Sequence, residues 1–234
     1  MRLLGCAMVV ALIVAGGAAG ATTGPSRIAT VGVVGSGVIV WPRVGVRAAP
    51  SLGARVVKTL EQFGADYRPR PVLAVGEQRN ASGHVVWYRI SIPGRPNGRT
   101  GWVPASSIQV KPVDRWLVVF RGQRRFELVV HGRVVRSGPV AIGAPGMETP
   151  LGLYYVQAKY RPSEPVLGAY AFETSGYSKL SDWPGGGVVG VHGTNTPQLI
   201  GQAVSHGCVR MRNEDVEFLR SIVRVGTPIK IVAN

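Results

Sequence analysis

The chain has 234 residues, enough for an export signal and two small domains. Its 27 Lys and Arg against 12 Asp and Glu give a net charge of +15, a balance that attracts polyanions over long range. The basic residues are scattered singly and no nucleic-acid-binding motif accompanies them. Nucleic acid is therefore set aside as a partner, leaving anionic wall polymers, a membrane surface or simply a basic soluble exterior.

Residues 1–21 read as a secretory signal peptide. Arg2 precedes an apolar run from Leu3 to Ala19, and Ala19-Gly20-Ala21 fits a small-residue cleavage site. The run is also long enough for an uncleaved anchor. Cys6 lies too early for a lipoprotein cleavage box. Removal of the signal leaves Cys208 as the lone thiol of an exported protein, which forbids an intramolecular disulfide and asks for another role. Residues 22–36 are Gly, Ser, Thr and small apolar residues with little to pack, and read as a linker.

From 37 to 110 come short β-rich runs separated by turn signals: Ile39-Val40-Trp41, Val44 to Pro50, Val56 to Leu60, Val72 to Val75, Val86 to Ile90 and Thr100 to Val103. Five or so strands in that length predict a small barrel. Trp87 and Trp102 are either packed at its core and rim or form a ligand site.

Lys111-Pro112-Val113 marks a boundary, and a second module runs from 114 to 233. Trp116–Phe120 and Phe126–Val130 read as a hairpin, and Val134-Val135, Val140–Ile142 and Leu153–Val156 continue the strands. The short β-branched runs predict a β-sandwich with minor helix, so the whole chain is mainly β. Tyr160 to Pro184 shows no clear period and reads as a long loop, whose Tyr170, Phe172, Tyr177 and Trp183 could line a groove or pack beneath it. Val188–Val191 is a buried strand ending at His192. Thr196-Pro197 starts a short helical turn that Gly201 stops, folding the chain back. Asn213 reads as an N-cap, Glu214, Asp215 and Glu217 suit the positive end of that helix, and Val216, Leu219, Ile222 and Val223 form its apolar face. Ile229–Val232 is a last strand.

The chemistry concentrates in His192-Gly193-Thr194 and Ser205-His206-Gly207-Cys208-Val209-Arg210. A thiol with a reference pKa of about 8.5 is only slightly ionised near pH 7. An imidazole within reach can hold its proton, and an imidazolium would favour the thiolate. The turn after His192 can bring it beside Cys208, and in an extended segment His206 would share a face with Cys208. Two other readings stay open on residue types alone. Cys208 could be a small buried hydrophobe, or the Cys/His/His set could bind zinc, though His-x-Cys is not a usual ligand spacing.

These two segments, with Ile142-Gly143 and Thr149-Pro150-Leu151-Gly152 upstream, resemble the L,D-transpeptidase catalytic-domain family, which remodels bacterial peptidoglycan. The resemblance covers about 114 to 233. It implies Cys208 as nucleophile and His192 as base. Gly193 would orient the base, Ser205, His206 and Gly207 would line the site, and Gly207 and Cys208 N–H groups would face the oxyanion. Arg210 would bind a substrate carboxylate, and Tyr170 is the groove residue assigned to substrate. No metal or cofactor is implied. The implied reaction is acyl transfer through a Cys thioester with loss of the terminal D-alanine of a tetrapeptide stem, and carbapenem-type β-lactams are the implied inhibitors. Residues 37–110, through Val46-Arg47-Ala48-Ala49-Pro50, Trp87-Tyr88-Arg89-Ile90 and Gly101-Trp102-Val103-Pro104, resemble a bacterial SH3-like domain that binds wall peptides. Hydrolysis through the same thioester and non-catalytic wall binding are the alternatives. A papain-like peptidase fits less well, because there the cysteine precedes the histidine.

Overall fold

The computed structural model describes residues 32–64, 66–180, 182 and 184–234. The expected signal peptide, residues 22–31 of the expected linker and Trp183 lie outside the described residues.

Valine- and isoleucine-rich runs, stiff at χ1, prefer the pleated backbone. In the first module they form β1 (Gly35–Ile39), β2 (Arg43–Arg47), β3 (Val56–Glu61), β4 (Pro71–Arg79), β5 (Val85–Ser91), β6 (Thr100–Pro104) and β7 (Ile108–Lys111). They make one sheet in the order β3-β2-β6-β5-β4-β1-β7. Ile39, Val44, Val46, Leu60, Val72, Ile90, Val103 and Ile108, drawn from all of these strands, form a single buried cluster, so the sheet curls around its own core. β3 and β7 are its two edges, so the expected barrel is an open one. Gly35 and Ser36, assigned to the linker from sequence, belong to β1. Trp87 pairs with Pro104 and Arg89 with Trp102. Both tryptophans are half-exposed and outside the buried core, on the sheet face opposite Ile90 and Val103.

The second module contains β8 (Arg115–Phe120), β9 (Arg125–Val130), β10 (Arg133–Pro139), β11 (Ile142–Gly143), β12 (Gly152–Tyr160), β13 (Ala171–Tyr177), β14 (Val188–His192), β15 (Ala203–Ser205), β16 (Val209–Arg210), α1 (Asn213–Ile222) and β17 (Pro228–Val232). Eight of these strands run in the order β10-β9-β8-β17-β12-β13-β14-β16, and β11 and β15 pair separately in parallel. β12 makes the corner. Its Gly152–Tyr155 half pairs with β17, its Val156–Tyr160 half pairs with β13, and a bulge separates Val156 from Ala158. A bulge of this kind bends a strand and lets it serve two sheet halves. Leu117, Phe126 and Ile229 from one half meet Phe172, Val191 and Val209 from the other in one core.

α1 covers that core with Val216 and Leu219, and Val223 follows beyond its end. Asp215, read from sequence as a helix-dipole residue, is also buried and bonded to Arg136 of β10 at 2.6 Å, which fixes the helix on the sheet.

Two expectations change. The long loop from Tyr160 to Pro184 contains β13, paired on both sides. Its Ala-Phe-Glu-Thr-Ser-Gly-Tyr run has little apolar alternation because polar side chains complete the pairing. Thr174 Oγ1 donates to Val189 O at 2.7 Å and Ser175 Oγ accepts the Tyr155 N–H at 3.1 Å. Asn213 is the first helical residue, and Arg212 takes the cap position without a side-chain cap bond. The Asn213 side chain is engaged elsewhere, at the site described next.

Candidate active site

His192 ends β14, between β13 and β16: it pairs with Ala171 on one side and Arg210 on the other. It is 3% exposed. Its Nδ1 lies 2.7 Å from the carbonyl of Gly193. A carbonyl only accepts, so Nδ1 carries the proton and Nε2 keeps the lone pair a base needs. The Gly193 backbone thus orients the imidazole.

The turn that presents this carbonyl is itself held. Gly193 N–H donates to Tyr170 O at 3.0 Å. Asn213 Oδ1 accepts the N–H groups of Ala169 and Thr194 at 3.0 and 3.1 Å, and Asn213 Nδ2 donates to Thr194 O at 3.0 Å. A Cβ on residue 193 would fall 2.2 Å from Asn213 Oδ1, so only glycine fits there.

The chain then takes the expected turn. Pro197–Leu199 is one turn of 3-10 helix, Thr196 Oγ1 bonds Thr194 Oγ1 rather than the helix, and Gly201 has φ +91°. β15 returns the chain along β11. Ala144 N–H donates to Ser205 O at 2.8 Å, and the buried Thr149 accepts the Gly143 N–H through Oγ1 at 2.9 Å. The Ile142-Gly143 and Thr149-Pro150 motifs are therefore the bed on which the nucleophile segment lies.

Ser205 is fully buried and braces that segment rather than lining an open site. Its hydroxyl donates to Cys208 O at 2.6 Å and accepts the Gly207 N–H at 3.1 Å. This corrects the expectation for Gly207, whose N–H serves the turn instead of facing an oxyanion. Gly207 has φ +115°, a backbone that L side chains rarely adopt. The strand ends at Ser205, so His206 and Cys208 are not alternating residues of one extended segment, as expected from sequence.

Cys208 is partly exposed. Its Sγ accepts the Gly190 N–H at 3.3 Å. A Cβ on Gly190 would lie 3.5 Å from His192 Cδ2 and 3.7 Å from Cys208 Sγ. Sγ and Cδ2 of the imidazole therefore both face the space beside Gly190. No direct thiol–imidazole hydrogen bond is made among the described residues; such bonds often tighten only with substrate bound.

Burial dominates the protonation of both groups. It pushes His192 down to about 4, opposed by the carbonyl of Gly193, with the Arg210 charge lowering it further and the Leu167 backbone opposing. Burial raises the Cys208 thiol, opposed by the Gly190 N–H and by the Arg210 charge. Near neutrality the pair is neutral thiol and neutral imidazole, whereas the sequence reading looked to an imidazolium. Desolvation outweighs ion pairing here.

Arg210 is near enough to act electrostatically on both groups, and its Nε is buried without a hydrogen-bond partner. An orphaned buried donor beside a nucleophile suits an incoming carboxylate. Tyr170 differs from expectation. It is 8% exposed, packs edge-on against Phe172 at 5.5 Å, and has Arg161 and Arg220 over its ring. Its side chain belongs to the core, as does that of Phe172, while Tyr177 stays half-buried. Among the described residues no three His, Cys, Asp or Glu side chains converge as a metal-ligand set.

Sequence reasoning missed Gly190 and the stapling role of Asn213. Gly190 had a signal, a lone glycine inside a β-branched strand, which marks close approach by a neighbour. Asn213 had none, because its partners lie in separate loops.

A family model described as the L,D-transpeptidase catalytic domain matches residues 114–231. The chain is 32% identical over 174 residues to the protein named L,D-transpeptidase YkuD of Bacillus subtilis (strain 168), spanning 74% of this chain and 93% of that one. Its namesake in Bacillus licheniformis is 32% identical over 176 residues, with the same shares covered. A solved L,D-transpeptidase from Mycobacterium tuberculosis H37Rv superposes with a TM-score of 0.47 at 18% identity, over 87% of this chain and 100% of that chain. The family model and the relatives covered almost from end to end place the chain: it belongs to the L,D-transpeptidase catalytic-domain family.

Proposed function

We propose that the protein is an exported cysteine L,D-transpeptidase that cross-links peptidoglycan stems through a thioester. The observation that carries the reading is that Cys208 Sγ and His192 Cδ2 both face one point beside Gly190, with Nδ1 committed to Gly193 O and the Nε2 lone pair left for the thiol proton. Nε2 takes the thiol proton, and the sulfur attacks the carbonyl of the third stem residue, a meso-diaminopimelate-type residue. The Cys208 N–H faces the developing oxyanion, an effect typically worth roughly 3–4 kcal/mol per donor. Collapse breaks the amide bond, and the imidazolium returns its proton to the departing D-alanine amine. An amine of a neighbouring stem then attacks the thioester, gives up a proton through His192, and releases the thiol, leaving a 3→3 cross-link. The buried Nε of Arg210 is the group we assign to a stem carboxylate. The same sulfur would open a carbapenem-type β-lactam, a strained acyl donor. The first module we read as an SH3-like wall-binding domain, with Trp87 and Trp102 sharing its outer face.

Incubation with a tetrapeptide-stem muropeptide, followed by intact-mass analysis, should give an adduct on Cys208 that lacks one D-alanine, and a cross-linked dimer on adding acceptor. A Cys208→Ala protein that still makes the dimer at the wild-type rate sinks the reading. A free tripeptide without dimer would point to hydrolysis through the same intermediate.

A further inference from the structure

The turn between β5 and β6, in the first module, bonds the end of β13 and the entry to β14 in the second module. The Asn97 side chain bonds the Tyr177 backbone reciprocally: Nδ2 donates to Tyr177 O at 2.7 Å and Oδ1 accepts the Tyr177 N–H at 2.9 Å. A side-chain amide thus stands where a neighbouring strand would pair with the end of β13. Two residues earlier, the Arg95 guanidinium donates to the carbonyls of Ser178, Leu180 and Gly186, each at 2.9 Å, and sits 4.9 Å from the Tyr177 ring centroid. Lysine could not span these carbonyls with the same planar fork.

These partners sit at the two ends that matter to the site. Tyr177 and Ser178 are the exit of β13. Gly186 and Gly187 are the entry to β14, the strand that carries Gly190 and His192. The Ser178 N–H donates to Gly187 O at 2.8 Å, closing exit onto entry. Ser178 is buried against the nucleophile turn: a Cβ built on Gly207 would lie 2.8 Å from Ser178 Cβ. The contact therefore runs from Arg95 and Asn97 to Ser178, to Gly207 and then to Cys208. Arg95 itself faces solvent in part, so water can replace it on the three carbonyls. Its loss should then disturb geometry more than global stability.

We propose that Arg95 and Asn97 are positioning residues for acyl transfer: from the first module they hold the β13 exit and β14 entry against Gly207, setting where Cys208 stands relative to His192. This rests on the reading of Cys208 as nucleophile. Displacing a nucleophile by about 1 Å can slow a reaction on the order of a hundredfold.

The test uses the full chain. The rate of Cys208 acylation by a carbapenem is followed by intact mass for wild type, Arg95→Met, Arg95→Lys, Asn97→Asp and Arg43→Met. The last removes an exposed ion pair with Glu61 in the same module, far in sequence from the turn. All are assayed well below their Tm, and amide hydrogen exchange is measured alongside. Arg95→Met and Asn97→Asp should acylate at least tenfold more slowly with faster exchange at residues 205–208, Arg95→Lys should recover part of the rate, and Arg43→Met should match wild type. Folded Arg95→Met and Asn97→Asp proteins that acylate within twofold of wild type overturn the proposal. If Arg95→Met does not fold, Asn97→Asp alone decides. Wild type that never acylates refutes the nucleophile reading instead, and unchanged exchange at 205–208 in Asn97→Asp would then overturn the positioning role separately.

Discussion

A buried histidine and a partly exposed thiol whose surroundings desolvate it make a base that is ready and a nucleophile that is not yet ionised. His192 is held near 4, so it stays neutral well below the usual histidine range. Acylation of Cys208 by a β-lactam, measured against pH, should therefore keep its rate down through pH 6 and fall only as His192 protonates near pH 4; an acid limb centred on 6.5 would contradict the burial. The same depression carries a stability sign. Between about pH 6.5 and pH 4 the unfolded chain binds a proton at residue 192 that the native state refuses, so stability drops as pH falls through that window, by about 3 kcal/mol. Thermal unfolding of wild type against His192→Gln should show the wild type losing ground as the buffer is acidified. Gly190 offers a sharper test. An added methyl there finds ordinary contact distances, so Gly190→Ala should fold, yet the methyl touches both ring and sulfur. The expected result is a near-normal Tm with acylation slowed about a hundredfold, the scale set by small displacements of reacting groups; a normal rate would show that the two groups do not work across that point.

Among the elements, short strands depend on side-chain hydrogen bonds more than long ones do. β11 is two residues long and is held on its flank by Thr149, whose hydroxyl takes the Gly143 N–H in a fully buried position. Thr149→Val keeps the shape and leaves that N–H unpaired, which should cost about 1–3 kcal/mol in urea unfolding and loosen β15 alongside. A loss under 0.5 kcal/mol would mean that the motif is not structural. The same dependence explains which elements could be read in the sequence. The Trp116–Phe120 and Phe126–Val130 hairpin and the Val188–Val191 strand carry apolar runs that no loop would tolerate. β13 does not, because Thr174 and Ser175 complete its pairing with hydroxyls, and its polar letters look like a loop until the partners are known.

At the scale of the whole molecule, charge and connection between modules govern behaviour. A net charge of +15 should make retention on anionic wall polymers fall steeply with ionic strength, as screened attraction requires. Co-sedimentation with purified walls across a salt series checks this, and salt-independent retention would assign the binding to specific contacts. The sequence by itself determined that the chain is mainly β, that its chemistry gathers between His192 and Arg210, and which family it resembles, since strand period and a dense local motif are properties of neighbouring residues. Only the tertiary structure decided that Tyr170 is core, that Gly207's N–H belongs to Ser205, that Asn213 staples two loops, and that Arg95 and Asn97 reach a site about eighty positions on. Each of these depends on which polar group lies opposite a given donor or acceptor, and burial raises the cost of every unmatched one, a pairing that chain order alone does not encode.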